Sequence, residues 1–270
     1  MTISDYLELV GLVQNSLLAA VLLGLVGGLV STFVNYRDVS FAVHGISELS
    51  FAGAALALLV GIDVIAGSVF GSIVAAVILG FMGTKAKERN STIAVLMPFG
   101  LGLGILALAL YQGRAANKFG LLTGQIVAVD DPQLISLAII CVVVLVGLLV
   151  IWKPLTFASL DPEVAAARGV PVRALSIGFM LLLGLSVAAS VQVVGALLVL
   201  SLLVTPAAAA RAVSSSLRIV PMLSVVFALT AAVGGILLAL PWGLPISPFV
   251  TSLSFAIYVV CKLIAKGKAK

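Results

Sequence analysis

A histidine and a glutamate stand four residues apart, His44 and Glu48, inside the apolar stretch "SFAVHGISELSFAGAALALLVG" of residues 40–61. His44 is the only histidine in the chain. Positions i and i+4 of a helix share a face, with Cβ atoms roughly 6 Å apart, so the imidazole and the carboxylate point the same way. Three chemistries fit such a pair. One nitrogen and one oxygen donor suit a borderline divalent cation such as Zn²⁺ or Mn²⁺. An acid beside an imidazole can also relay protons. The third is a hydrogen-bonded pair that only fastens helix packing. Two donors do not complete a metal site, and the remainder would come from another span, a second protomer or water. Asn35, Ser47, Ser190, Gln192, Ser201 and Thr205 read as interhelical hydrogen-bonding groups rather than ligands.

The elements that must position this pair are set by the solvent. Of 270 residues, 62% are hydrophobic and only 9% are charged, with a mean hydropathy of +1.31. A soluble domain carries roughly 25% charged residues, and no soluble core of this size could bury so much apolar surface. The bilayer is therefore the solvent. The apolar runs are continuous rather than alternating, which excludes a β-barrel. The fold class is all-α, a polytopic transmembrane helical bundle, and residues 1–270 read as a single transmembrane domain. The N-terminus, "MTISDYLELV", has acidic residues and no basic ones, so no cleaved signal peptide is expected. Cys141 and Cys261 lie in apolar runs and read as small buried hydrophobes.

A spanning helix needs roughly 20 mostly apolar residues. Nine candidate spans follow, at about 14–36, 40–61, 63–83, 91–112, 133–152, 173–193, 195–212, 218–240 and 246–264. The boundary between the sixth and seventh is the weakest, so the count is eight or nine. With the N-terminus outside, all 15 Lys and Arg residues except Arg114 and Lys118 fall on the inner side. That asymmetry favours an external N-terminus and a cytoplasmic C-terminus. At ~1.5 Å per residue, His44 and Glu48 lie about 10 and 16 Å along the axis from Arg37. Glu48 is then near mid-bilayer, where an ionised carboxylate needs a cavity or the bundle interior.

The two longest connections differ in kind. The external stretch 113–132 has enough apolar residues for a short re-entrant or interfacial helix. The cytoplasmic stretch 153–172 contains "LDPEVAAARGVPV". Asp161 reads there as an N-cap, Pro162 as the first helical residue and Glu163 as an acid in the first turn. Gly169 ends that helix, with Pro171 just beyond. A capped helix lying between two spans suits docking to a partner. Glycine clusters at "GLVGG" (24–28) and "GLGLG" (100–104) mark close helix–helix contact, and Pro98 and Pro206 are expected to kink or break helices.

Three stretches together carry a family resemblance. "FAVHGISELSFAGAALALLVG" resembles the "GDALSHAVLPGVALG" signature of permease subunits of zinc/manganese-type ABC transporters. "LDPEVAAARGVPVRAL" resembles their "FDPELARALGI" segment, and "VQVVGALLVLSLLVTPAAAAR" resembles their "VKVVGVLLVVALLIIPAATAR" run. Order and spacing agree over residues 10–265. Aligned on Ser47, the signature's Asp falls on His44 and its His on Glu48, so one nitrogen and one carboxylate are kept with their order exchanged. The Pro of "LPG" is Ala52, before Gly53.

The resemblance implies a permease that dimerises with itself or a homologue, works with cytoplasmic ATPase subunits and an extracytoplasmic metal-binding protein, and passes a divalent metal (Zn or Mn, with Fe a third option) at His44 and Glu48. The helix at about 161–169 would be the coupling element, with Asp161, Glu163, Arg168 and Gly169 facing the ATPase. The chain has no phosphate-binding G-x-x-x-x-G-K-[ST] loop. It is expected to be a transport subunit rather than an enzyme, in the cell membrane, with no cofactor of its own and no nucleic-acid partner. Two other functions compete with the importer, a self-sufficient proton-coupled metal transporter using Glu48 and a noncatalytic membrane scaffold.

Overall fold

The computed structural model describes residues 3–82, 86–113, 121, 129–195, 199–242 and 245–268. Among these residues there is helix and turn but no strand. In chain order the helices are α1 (Ile3–Leu12), α2 (Gln14–Tyr36), α3 (Ser40–Val60), α4 (Val64–Phe81), α5 (Ala86–Leu110) and α6 (Asp131–Leu160). Then come α7 (Pro162–Ala167), α8 (Val172–Val194), α9 (Val199–Leu203), α10 (Thr205–Val213), α11 (Ile219–Ala239) and α12 (Ile246–Lys268). Eight of them are long and apolar enough to cross a membrane: α2 to α6, α8, α11 and α12.

The remaining candidate, 195–212, is a pass in two pieces, α9 and α10, of 5 and 9 residues. Pro206 is the cause: it supplies no N–H and disfavours helical geometry in the residues before it. Val204, at the break, has φ −126° and ψ −53°. Helix α2 closes the gap. The Val204 carbonyl accepts from Ser31 Oγ at 3.1 Å and Asn35 Nδ2 at 3.0 Å, and the Ala207 N–H donates to Ser31 Oγ at 3.1 Å. Irregular backbone at this depth is tolerated because it is buried and bonded inside the protein. Pro98, by contrast, sits inside an unbroken α5. Helix α6 also runs on, through Lys153 and Pro154 to Leu160, beyond the boundary expected at residue 152.

Two packed groups form the bundle. Helices α4 and α5 pack on α3, while α11 packs on α2 and α12; α8 bridges by packing on α4, α6 and α3. Small residues set the approach. A methyl on Gly28 would lie 2.5 Å from Val225 Cα, so α2 and α11 meet backbone to backbone there. Ser224 Oγ then donates to the Gly28 carbonyl at 2.7 Å across the same contact.

Hydrogen bonds mark the two ends of the bundle. At one end Arg37 Nη1 donates to Ser159 Oγ at 3.4 Å, and Arg211 Nη1 donates to the Asn35 carbonyl at 2.8 Å. At the other, Asn15 Nδ2 donates to Asp131 Oδ1 at 2.7 Å. Arg211 therefore shares an end with α7 and the start of α8, which makes the broken segment a return pass. Cys141 and Cys261 are buried free thiols, as expected. The predicted helix within 113–132 falls largely outside the described residues.

Candidate metal site

His44 and Glu48 lie on α3, as the spacing predicts, and the helix around them is locally determined. The chain leaves α2 through a short turn in which the Val39 N–H donates to the Val34 carbonyl at 3.0 Å and Asp38 takes φ +52°. Helix α3 ends at Gly61, whose φ of +81° is the left-handed cap that glycine adopts without penalty. Asp63 then starts α4 by accepting from the Ala66 N–H at 2.9 Å.

Phe41, His44, Glu48 and Leu56 fall on one face of α3 at helical spacing. Phe41 and Leu56 are exposed, so this face reaches the outside of the single chain. His44 keeps 28% of its side-chain surface exposed and Glu48 only 5%. The carboxylate is thus recessed behind the imidazole in a largely apolar wall. Helix α5 supplies part of that wall at very short range. A Cβ on Gly100 would sit 2.9 Å from the Glu48 carbonyl carbon and 3.0 Å from Leu49 Cδ1. On the α4 side a methyl on Gly71 would strike the Leu49 carbonyl, and Ser50 Oγ meets Ser68 Oγ at 2.8 Å. The glutamate is held by backbone contact from two neighbours.

His44 Nε2 and Glu48 Oε1 are 3.6 Å apart, too far for a hydrogen bond. His44 Nδ1 and Glu48 Oε2 are buried and make no hydrogen bond among the described residues. Buried polar atoms are almost always satisfied, so two unpartnered atoms on adjacent turns describe a site with bonds still to make. Among the described residues no third His, Cys, Asp or Glu joins them. The pair offers one nitrogen and up to two oxygens to a cation, which is not a complete coordination shell.

The other expected polar groups are spread through the bundle. Asn35 bonds across helices at the α9–α10 break. Ser190 Oγ donates to Ser186 within its own helix, and Ser201 gives its carbonyl to Ser254 Oγ at 2.9 Å. Thr205 Oγ1 reaches the Leu200 carbonyl at 3.5 Å, while the Gln192 side chain lies outside the described residues. Gly100 was legible as a packing glycine, but nothing in the sequence tied it to Glu48.

The short helix α7 has the geometry its sequence predicts. Asp161 caps it by accepting from the Val164 N–H at 3.0 Å, and Gly169 closes it at φ +79°, with the Val170 N–H donating to the Ala165 carbonyl at 3.0 Å. Ala165 is fully buried and anchors the helix against α6 and α8. Asp161, Glu163, Arg168 and Gly169 are all exposed. They lie at the Arg37 end of the bundle, where Arg37 bonds Ser159 just before α7.

Comparison with known proteins agrees with this architecture. The chain is 30% identical over 227 residues to the manganese transport system membrane protein MntC of Listeria innocua, covering 84% of this chain and 81% of that protein. It is 26% identical over 267 residues to the manganese import system permease protein ScaB of Streptococcus parasanguinis, covering 98% and 95%. Its fold matches a chain of PsaBC from Streptococcus pneumoniae, solved in complex with Fab, with a TM-score of 0.85 at 26% identity over 96% of this chain and 95% of that one. The model of the ABC 3 transport family matches residues 10–265, and this multi-pass membrane protein belongs to that family.

Proposed function

We propose that this chain is the membrane-spanning permease subunit of an ATP-driven importer of divalent metal ions, with Mn²⁺ as the first cargo to test. The unpartnered His44 Nδ1 and Glu48 Oε2, on a face of α3 that reaches the surface of the single chain, carry this reading. A nitrogen donor and a carboxylate suit Mn²⁺ and Zn²⁺, and also Fe²⁺. The manganese importers among the relatives favour the first. A second permease copy, or a homologue, would bring its own donors to the exposed face and complete the coordination. The metal passes along that shared face, and the carboxylate offsets the cation's charge where water is excluded.

The surface of α7 receives a cytoplasmic ATPase subunit, and an extracytoplasmic metal-binding protein delivers the ion to the opposite end. This puts the Arg37 end in the cytoplasm, the side where Lys and Arg accumulate, with the N-terminus outside and the C-terminus inside. The test is Mn²⁺ uptake into proteoliposomes holding the permease with its ATPase subunits and binding protein, compared with the permease alone under a proton gradient. Uptake that requires ATP and the partners is expected. Uptake by the permease alone would replace this reading with a proton-coupled transporter.

A further inference from the structure

We propose that Arg37 is the positioning residue that carries movement of α7 to the helix bearing His44 and Glu48; this rests on the permease reading above. Arg37 sits in the turn between α2 and α3, three residues before Ser40 opens α3. The turn is tight: the Arg37 N–H donates to the Phe33 carbonyl and the Val39 N–H to the Val34 carbonyl, each at 3.0 Å. A displacement of Arg37 therefore enters the first turn of α3, and His44 follows within two helical turns.

The guanidinium reaches both arms that hold α7. Its Nη1 donates to Ser159 Oγ at 3.4 Å, and Ser159 lies two residues before Asp161, the cap of α7. Its Cζ lies over the Phe179 ring, 5.7 Å from the centroid, and Phe179 is on α8, the helix that follows α7. Ser159 spends its own proton on the Leu155 carbonyl at 2.6 Å, which leaves its lone pairs for Arg37. Behind this contact the Phe33 ring packs edge-on against Trp152 at 4.8 Å and tilted against Phe179 at 6.0 Å. The ends of α2, α6 and α8 thus form one packed knot, and a shift of the α6–α7–α8 hairpin reaches α3 through it. Arginine suits the place because a guanidinium donates at its edge and stacks on its face at once, whereas an ammonium is a single point charge.

The experiment uses the full complex of permease, ATPase subunits and binding protein in proteoliposomes, with Mn²⁺ as the probe. Complex assembly, ATP hydrolysis and Mn²⁺ uptake are measured for the wild type, R37Q and R37K. R37Q is expected to assemble and hydrolyse ATP at the wild-type basal rate while Mn²⁺ moved per ATP falls roughly tenfold, within the range by which residues between coupled sites alter coupling. R37K should recover part of that ratio. An unchanged ratio in R37Q, or uptake and hydrolysis falling in proportion, overturns the proposal. Should R37Q fail to assemble, S159A, which removes the acceptor for Arg37 together with the hydroxyl's bond to the Leu155 carbonyl inside α6, must lower the ratio by itself, and an unchanged ratio there overturns the proposal equally. Failure of the permease reading would instead show in the wild type, as absence of ATP-dependent uptake.

Discussion

Gly100 and Gly102 lie on the same helix, two residues apart, and Gly→Ala at each makes a paired experiment. In G100A the new methyl would stand 2.9 Å from the Glu48 carbonyl carbon, 3.0 Å from Leu49 Cδ1 and 3.1 Å from the Glu48 carbonyl oxygen. An ordinary contact begins near 3.4 Å, so α3 and α5 must part by roughly half an ångström at the residue that carries the carboxylate. Overpacking of this kind costs about 1–3 kcal/mol, and the displacement is passed to Glu48 itself. In G102A the methyl meets nothing within 4 Å, and alanine improves helix propensity by about 0.5–1 kcal/mol. The assays are apparent thermal stability in detergent and Mn²⁺ uptake by the reconstituted complex. G100A should melt several degrees lower and take up markedly less Mn²⁺, while G102A matches or exceeds the wild type in both. Equal uptake by the two variants would refute the claim that α5 fixes the position of Glu48.

Three further outcomes are expected. His44→Ala and Glu48→Ala should each leave the permease made and inserted while Mn²⁺ bound by the purified permease, measured by equilibrium dialysis, falls at least tenfold, about 1.4 kcal/mol; loss of the protein from the membrane would point to a packing role instead. Asp161→Ala removes the cap on the Val164 N–H and should cost α7 about 1 kcal/mol, and Glu163→Ala or Gly169→Glu should lower ATPase co-purification or uncouple hydrolysis from uptake, the last also because a side chain at φ +79° is strained. Ser31→Ala strips acceptor and donor from the α9–α10 break and should destabilise the permease by about 1–3 kcal/mol in a detergent melt.

The juxtaposition of His44 and Glu48 was legible because it is local. Two donors at i and i+4 need only a helix, and α3 is closed by Gly61, with Asp63 capping the start of α4 just beyond. Helix α7 was legible for the same reason, since Asp161, Pro162 and Gly169 act within a turn of one another. What the sequence did not display depends on partners distant along the chain. Lys153 and Pro154 looked like a boundary, yet α6 continues through them. The break at Val204 is stable only because Ser31 and Asn35, more than 160 residues earlier, bond its carbonyl. "GLGLG" hid two unlike roles, with Gly100 against the Glu48 backbone and Gly102 facing open space. Arg37 read as a topological marker, and its contacts with Ser159 and Phe179 arise only when α2, α6 and α8 meet.

Radioactive Mn²⁺ flux through the reconstituted complex, with ATP hydrolysis followed in the same vesicles, puts the route past His44 and Glu48 to the most direct test. In a Glu48→Gln permease, which keeps the side chain's shape but removes the anionic donor, flux should drop to the background of empty vesicles while the ATPase continues to turn over. Flux at the wild-type rate in that variant would mean the ion travels elsewhere.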